Sequence, residues 1–313
     1  MMRRIAFLFL TVALLAGCSK PMPFQQNSNF VFGTIYHITY QYGDDLQKEI
    51  EAELMKVDGE FSMFNRNSTV SRINAGDSTV ARSEMFNEVL TLAQMVNKET
   101  EGAFDITVAP LVNAWGFGFK HEQLPTAQQV DSLLKIRNQM DFSAIAKGYG
   151  CDVVARLLAS KGIENFMVEI GGEVVVSGHN DKEQPWHIGV NKPVDDTAHV
   201  DTELQTVLSI TDHAMATSGN YRNFYYQGGK KYAHTIDPRS GYPVQHSLLS
   251  ATVIADDCAT ADAYATSFMV LGVDGAKEVL ARHHELMAYL IYVDEATGQL
   301  AVWRSPELED YEQ

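Results

Sequence analysis

The sequence predicts an α+β protein: mixed, largely antiparallel sheets with helices packed on them, in a single integrated domain. Helix-period segments fill residues 44–161, whereas strand-like segments dominate after Gly162. The strands follow one another across short turns, as hairpins, and hairpins pair antiparallel. No internal repeat, heptad pattern or Pro/Gly/Ser-rich linker breaks the chain beyond residue 30. Two lobes joined near 140–165 are the alternative.

Taken in order, Phe30 to Tyr42 is rich in β-branched and aromatic residues and reads as a strand with Gly33 inside. Asp44 or Asp45 caps a helix with Leu46, Ile50, Leu54 and Val57 on one face. Phe61 to Ser68 is irregular yet carries large apolar residues, which either plug the core or cover a ligand. Ser83 opens a helix with Phe86, Val89, Leu90, Ala93 and Val96 inward, closed by Gly102. In Trp115-Gly116-Phe117-Gly118-Phe119 the rings either pack into a core or frame a flat ligand. Thr126 caps a helix through Ile136. A further helix runs from Cys151 to Lys161, with Gly162 as its stop.

Strands follow at Phe166 to Ile170 and Glu173 to Ser177 around Gly171-Gly172, then at Trp186 to Val190 and Leu204 to Thr211. Tyr225 to Tyr232 reads as a hairpin with a Gly-Gly turn, and Leu248 to Ala255 as another strand. Helices over Ala259–Leu271 and Ala276–His283 precede a last hairpin, Met287–Val293 with Gln299–Trp303.

The 313 residues carry a formal charge of −16. Without Arg3 and Arg4 the balance is 22 basic against 40 acidic residues, or −18. So acidic a chain does not bind nucleic acid through its general field. A phosphate ligand must be met by local devices: a helix start, one lysine or a metal ion. Arg3 and Arg4 precede an apolar run, Ile5 to Leu15, and then Leu15-Ala16-Gly17-Cys18. That pattern is a secretory signal ending in a site that resembles the bacterial lipobox. It divides the chain into a signal peptide (1–17), a lipidated tether (18–29) and a functional domain (30–313). Cys18 becomes the membrane anchor in the cell envelope, facing the periplasm, and Ser19 after it leans toward the outer membrane. Cys151 and Cys258 either pair as a disulfide or sit as small core residues.

Four stretches carry chemistry-bearing residues. Asp141-Phe142-Ser143-Ala144-Ile145-Ala146-Lys147-Gly148-Tyr149-Gly150 sets an acid, a hydroxyl, a cation and glycines before a helix. It is either a phosphate cradle or an ordinary capped loop. Asp262 and Thr266 stand four apart on a helix and share a face. As hard oxygen donors they suit Mg²⁺ or Ca²⁺ that keeps waters and takes phosphate oxygens; otherwise they are plain helix residues. His234 precedes the turn Asp237-Pro238-Arg239-Ser240-Gly241 and is either a general base or a structural histidine. Thr217-Ser218-Gly219-Asn220-Tyr221 offers hydroxyls to a phosphate or carbonyl. No Walker A loop, no GxGxxG after a strand and no Ser-His-Asp or Cys-His pattern is present.

Together with Phe32-Gly33-Thr34, Phe61-Ser62-Met63-Phe64, Ala103-Phe104-Asp105, Trp115-Gly116-Phe117-Gly118, Glu169-Ile170-Gly171-Gly172-Glu173 and Ala261-Asp262-Ala263-Tyr264-Ala265-Thr266, these stretches resemble the FAD:protein FMN transferase (ApbE) family, from about Phe30 to Trp303. The resemblance implies an ApbE-like, T-fold-related fold. It also implies a Mg²⁺-dependent transfer of FMN from FAD to a threonine hydroxyl of a target protein, releasing AMP. Acceptors in the family are flavoprotein subunits of ion-pumping respiratory complexes. By the same resemblance, Ala144 through its carbonyl, Asp262, Ala265 and Thr266 hold the metal. Asp141 and Lys147 contact FAD, while Met63, Ala103, Phe104, Asp105 and Ile236 line its site, and His234 is the base. The chain departs from the family at Phe32, where methionine is common. A Mg²⁺-dependent FAD pyrophosphatase and a non-catalytic flavin-binding lipoprotein are the competing functions.

Overall fold

The computed structural model describes residues 22–117, 124–136, 138–193, 203–220, 224–227 and 230–312. The signal peptide and Cys18 lie outside them. Among the described residues no helix is long and apolar enough to cross a membrane.

Eight strands form the main sheet. They are β1 (Phe24–Val31), β2 (Thr34–Gln41), β3 (Phe166–Ile170), β4 (Glu173–Ser177), β7 (His213–Gly219), β10 (Leu248–Ala255), β11 (Met287–Val293) and β12 (Leu300–Arg304). They stand in that order across the sheet, and every neighbouring pair is antiparallel. A second layer, β5 (Trp186–Asn191) with β6 (Leu204–Ile210), lies on one face. There Trp186, Ile188, Val190, Leu208 and Ile210 pack on Val174, Met215, Ile254 and Tyr289. Strands β8 (Phe224–Gln227) and β9 (Lys230–Ala233) make the separate hairpin expected from sequence.

The other face carries α1 (Gln47–Phe61), α3 (Glu84–Glu99), α6 (Ala146–Ser160) and α7 (Cys258–Leu280). Ile50, Leu54, Val57 and Phe61 form the buried stripe of α1, and Ser83 caps α3 by accepting from the Phe86 N–H. Phe61 ends α1 inside a ring cluster with Phe86, Phe142 and Tyr149, at centroid distances of 5.7, 5.1 and 5.9 Å. Burying each large side chain is worth about 1.5–3 kcal/mol. Packing of Phe61 therefore fixes the end of α1, and this residue is core rather than lid.

A smaller core lies apart. Leu111 on α4 (Ala109–Ala114), Val130 on α5 (Ala127–Leu133), Trp115 and Ile236 are its buried members. Thr126 and Gln129 cap α5 reciprocally. Trp115 belongs to this core, and its indole N–H donates to the Gly241 carbonyl at 2.8 Å. This satellite cluster is distinct from the main core.

Several elements differ from the sequence expectation. Within the stretch expected to be a tether (18–29), strand β1 begins at Phe24, because Phe24 to Val31 pairs along its length with β2. The expected strand over Phe30 to Tyr42 is thus a hairpin, with Phe32 (φ 52°) and Gly33 (φ 79°) as its two-residue turn. Both turn positions need left-handed backbone, and Phe in the first is unusual. Its ring is held against α6, where a side chain at Gly150 would come within 2.7 Å of it. A short helix, α2 (Thr69–Asn74), follows the irregular stretch and is capped by Ser68, the last residue of it. Strand β7 was not anticipated: His-Ala-Met-Ala-Thr-Ser-Gly has little β-propensity, and burial between β4 and β10 overrides it. The two expected helices after residue 258 are present as α7 with a break at Gly272 (φ 74°, ψ −176°).

The largest shift concerns α6, which begins at Ala146 and not at Cys151. Two glycines near its start hide the helical period, since glycine is a poor helix former. Here they serve contact. A Cβ on Gly148 would lie 2.3 Å from the Cys258 carbonyl oxygen, so α6 and α7 touch backbone to backbone. Cys151 and Cys258 are both buried and unpaired by any disulfide; their thiols donate to the carbonyls of Glu173 and Met215 at 3.3 and 3.7 Å.

Asp152 of α6 also ties the two helices. Its carboxylate accepts the N–H groups of Cys258 (2.7 Å) and Ala259 (2.9 Å) at the start of α7. Burial pushes this carboxyl from 3.8 up to about 7. A folded-state pKa above the unfolded value means stability that is full below the unfolded pKa and falls as pH rises through the folded one. The protein should therefore lose stability between about pH 4 and 7. Asp152→Asn keeps one acceptor for two N–H groups and should lose about 1 kcal/mol at pH 5 through the lost hydrogen bond, yet show a smaller fall by pH 8. Thermal unfolding at the two pH values checks this; an equal fall in both proteins removes Asp152 from the explanation.

Candidate active site

A cavity of about 610 Å³ opens between the satellite core and the α6–α7 junction. That volume suits a nucleotide-sized ligand. Its two sides differ in chemistry. Val108, Ala109, Val112, Phe117, Ile236 and Pro238 make an apolar wall, while Lys147, Glu173, Thr217, Ser218, Asp262 and Thr266 make a polar floor.

The floor is built by short contacts between elements. Asp262, one turn into α7, is buried, and its Oδ2 accepts the Gly148 N–H at 3.1 Å. In a regular helix that N–H would go to the Ala144 carbonyl four residues back. The α6 start therefore spends its free donor on Asp262, and the expected phosphate cradle is partly filled by a carboxylate. The same contact brings the Ala144 turn and the Asp262 carboxylate together. One turn further along α7, the Thr266 hydroxyl is 3.0 Å from that of Ser218 on β7. Lys147 Nζ lies 2.5 Å from Glu173 Oε1. Burial works against the Lys147 charge, but the carboxylates of Glu173 and Asp262 outweigh it and hold the ammonium well above its ordinary value. Burial raises both of those carboxyls, Glu173 to about 7, and the Lys147 charge opposes the rise.

The walls are pinned from further away. Asn74 at the end of α2 accepts the Met140 N–H (2.8 Å) and donates to the Met140 carbonyl (2.7 Å), fixing the approach to Asp141. The Asp141 N–H donates to the Ile106 carbonyl, and its carboxylate accepts the Ser143 N–H at 2.9 Å. It is thus both a loop cap and a cavity residue. Asp105 accepts the N–H and hydroxyl of Thr107. Asn97 holds the Phe104 carbonyl at 2.6 Å. The His234 ring meets Phe117 edge-on at 6.4 Å between centroids.

Of the residues singled out in the sequence, Met63, Ala103, Phe104, Asp105, Asp141, Ala144, Lys147, His234, Ile236, Asp262 and Thr266 all line this one cavity. Ala265 does not: its methyl is packed in the main core. The Phe32 ring packs on Gly150 and is absent from the cavity wall. Tyr221 and Gly118 lie outside the described residues. Glu173 was not singled out as a site residue. Its signal was a lone acid opening the apolar strand Glu-Val-Val-Val-Ser after a Gly-Gly turn.

The donor set suits a hard cation. Asp262 and Thr266 offer oxygen, and Glu173 Oε2 is buried with no hydrogen-bond partner. Among the described residues no group of three or more His, Cys, Asp or Glu could hold a metal ion. A cation here would complete its shell with backbone, hydroxyl, water and substrate oxygens, as Mg²⁺ does.

Fold and cavity define a class: an α+β protein with one half-buried ammonium, several carboxylates and hydroxyls lining a nucleotide-sized cleft. The chain belongs to the ApbE family, whose profile matches residues 32–291. It is 37% identical to the FAD:protein FMN transferase of Haemophilus influenzae, over 88% of this chain and 89% of that protein. With the Escherichia coli K12 protein of the same name it shares 33% identity over 97% of each. The solved flavin transferase ApbE of Vibrio cholerae superposes with a TM-score of 0.82 at 34% identity, covering 93% of this chain and 100% of that one.

Proposed function

We propose that this protein transfers FMN from FAD to a threonine hydroxyl of a target flavoprotein and releases AMP, with Mg²⁺ as the metal. The observation that carries the reading is the convergence of Lys147, Asp262 and Thr266 in one cavity that is also lined by the apolar cluster of Val108, Val112, Phe117 and Ile236. A flavin ring fits an apolar wall, and a pyrophosphate needs the floor. Lys147 meets phosphate oxygens, Asp262, Thr266 and the Ala144 carbonyl hold the cation, and Met63, Ala103, Phe104, Asp105, Asp141 and Ile236 seat FAD. Bound Mg²⁺ would supply neutralisation of the pyrophosphate oxygens. The threonine oxygen forms a bond to the FMN-side phosphorus as the bond to AMP breaks. His234 takes the hydroxyl proton. The nucleophile comes from the partner, which agrees with the lack of a nucleophile–base pattern in this sequence.

The acceptor belongs to the class of flavoprotein subunits of respiratory complexes, and a lipid at Cys18 places the enzyme on the periplasmic side of a membrane. Incubation with FAD and Mg²⁺, with and without an acceptor, separates transfer from hydrolysis. Free FMN without acceptor and no covalent flavin with it would establish a pyrophosphatase instead. His234→Ala should bind FAD as the wild type does and transfer about a hundredfold more slowly. Unchanged transfer would remove His234 as the base.

A further inference from the structure

The Glu173 carboxylate sits behind Lys147. Its side chain is 3% exposed against 30% for Lys147, and the two are 2.5 Å apart. Its second oxygen is buried with no hydrogen-bond partner. The proposed transfer assigns Glu173 no step of its own, yet it costs the fold a buried charge. The ionisable groups lining the cavity, among the described residues, are Asp105, Asp141, Glu173, Asp262, Lys147 and His234. Carboxylates outnumber the lysine, and Glu173 is the one in direct contact with it. A pyrophosphate diester is a dianion, so the cavity without a cation repels it.

We infer that Glu173 is a positioning residue that both aims the Lys147 ammonium and cancels its charge, so that the nucleotide binds only together with a divalent cation. The inference rests on the proposed use of FAD. It turns an apparent liability into specificity: metal-free FAD, which cannot react, is refused. Glu173→Gln keeps an oxygen for Lys147 and removes the charge. A residue that merely props the site would weaken binding when changed, whereas a charge-cancelling residue strengthens it.

The test measures FAD binding by flavin fluorescence at pH 8.5, in EDTA and in Mg²⁺, with riboflavin as the phosphate-free control. Wild type should bind FAD at least about tenfold more weakly in EDTA, and riboflavin equally in both. Glu173→Gln should bind FAD in EDTA about tenfold more tightly than wild type, and this gain should vanish when Lys147→Met is added. Equal wild-type affinities with and without metal overturn the inference even if the variant fails to fold. So do unchanged or weaker metal-free binding by Glu173→Gln, and a gain that survives Lys147→Met. Because the readout is binding, a protein that shows this dependence but modifies no acceptor would refute the transferase reading alone.

Discussion

Asp262→Ala should lower FMN transfer by at least about 10³-fold while leaving the protein folded. The carboxylate sits on the α7 face that carries Thr266 and reaches the start of α6, through its 3.1 Å contact with the Gly148 N–H. Losing a cation's stabilisation of a charged transition state costs several kcal/mol, and each 1.4 kcal/mol is tenfold in rate. The effect on stability is smaller because two terms oppose. The Gly148 N–H loses its acceptor, at about 1–3 kcal/mol. Against that, a carboxyl whose ionisation burial resists is removed. Turnover with FAD and acceptor, alongside a thermal melt, tests this. Activity above a tenth of wild type in a folded variant would take Asp262 out of the metal site.

Gly148→Ala should cost about 2–3 kcal/mol of stability and abolish transfer. Alanine in a helix is worth about 1 kcal/mol over glycine, so propensity alone predicts stabilisation. The contact decides otherwise. The new methyl would meet the Cys258 carbonyl oxygen at 2.3 Å and the Ala259 nitrogen at 2.9 Å. Neither is the end of a flexible side chain, so α7 must move away from α6, carrying Asp262 with it. Overpacking of this kind costs about 1–3 kcal/mol, a large part of a total stability of about 5–15 kcal/mol. Gly59→Ala in α1 is the control: nothing lies within 4 Å of its Cβ, and it should stabilise slightly. Denaturant unfolding of the two variants distinguishes steric contact from propensity; the same sign in both would contradict the packing argument.

The same contact explains what could be read from the sequence. Helices α3 and α5 were legible because apolar period and polar cap agree. Helix α1 was legible from its apolar stripe alone: Leu46 stands at its N-cap in place of Asp44 or Asp45, without a side-chain cap. Strand β7 and the start of α6 were not. Gly148 and Gly150 are there for close approach, and Ala214 and Ala216 are small residues buried in the sheet; neither leaves a local pattern. The site residues expected from recognisable segments line the cavity because each segment meets it, while Ala265, between Asp262 and Thr266, turns its methyl into the core and leaves only its backbone to offer a ligand. Glu173 was passed over because one acid in a strand has no spacing to flag it, and only the 2.5 Å contact with Lys147 shows its place.

The proposed transfer is tested most directly by mass spectrometry of an acceptor flavoprotein subunit after incubation with this protein, FAD and Mg²⁺. The expected result is an FMN-sized adduct on one threonine, with AMP released in equal amount, and neither when Asp262→Ala replaces the wild type. An unmodified acceptor while FAD is still split into FMN and AMP would contradict it.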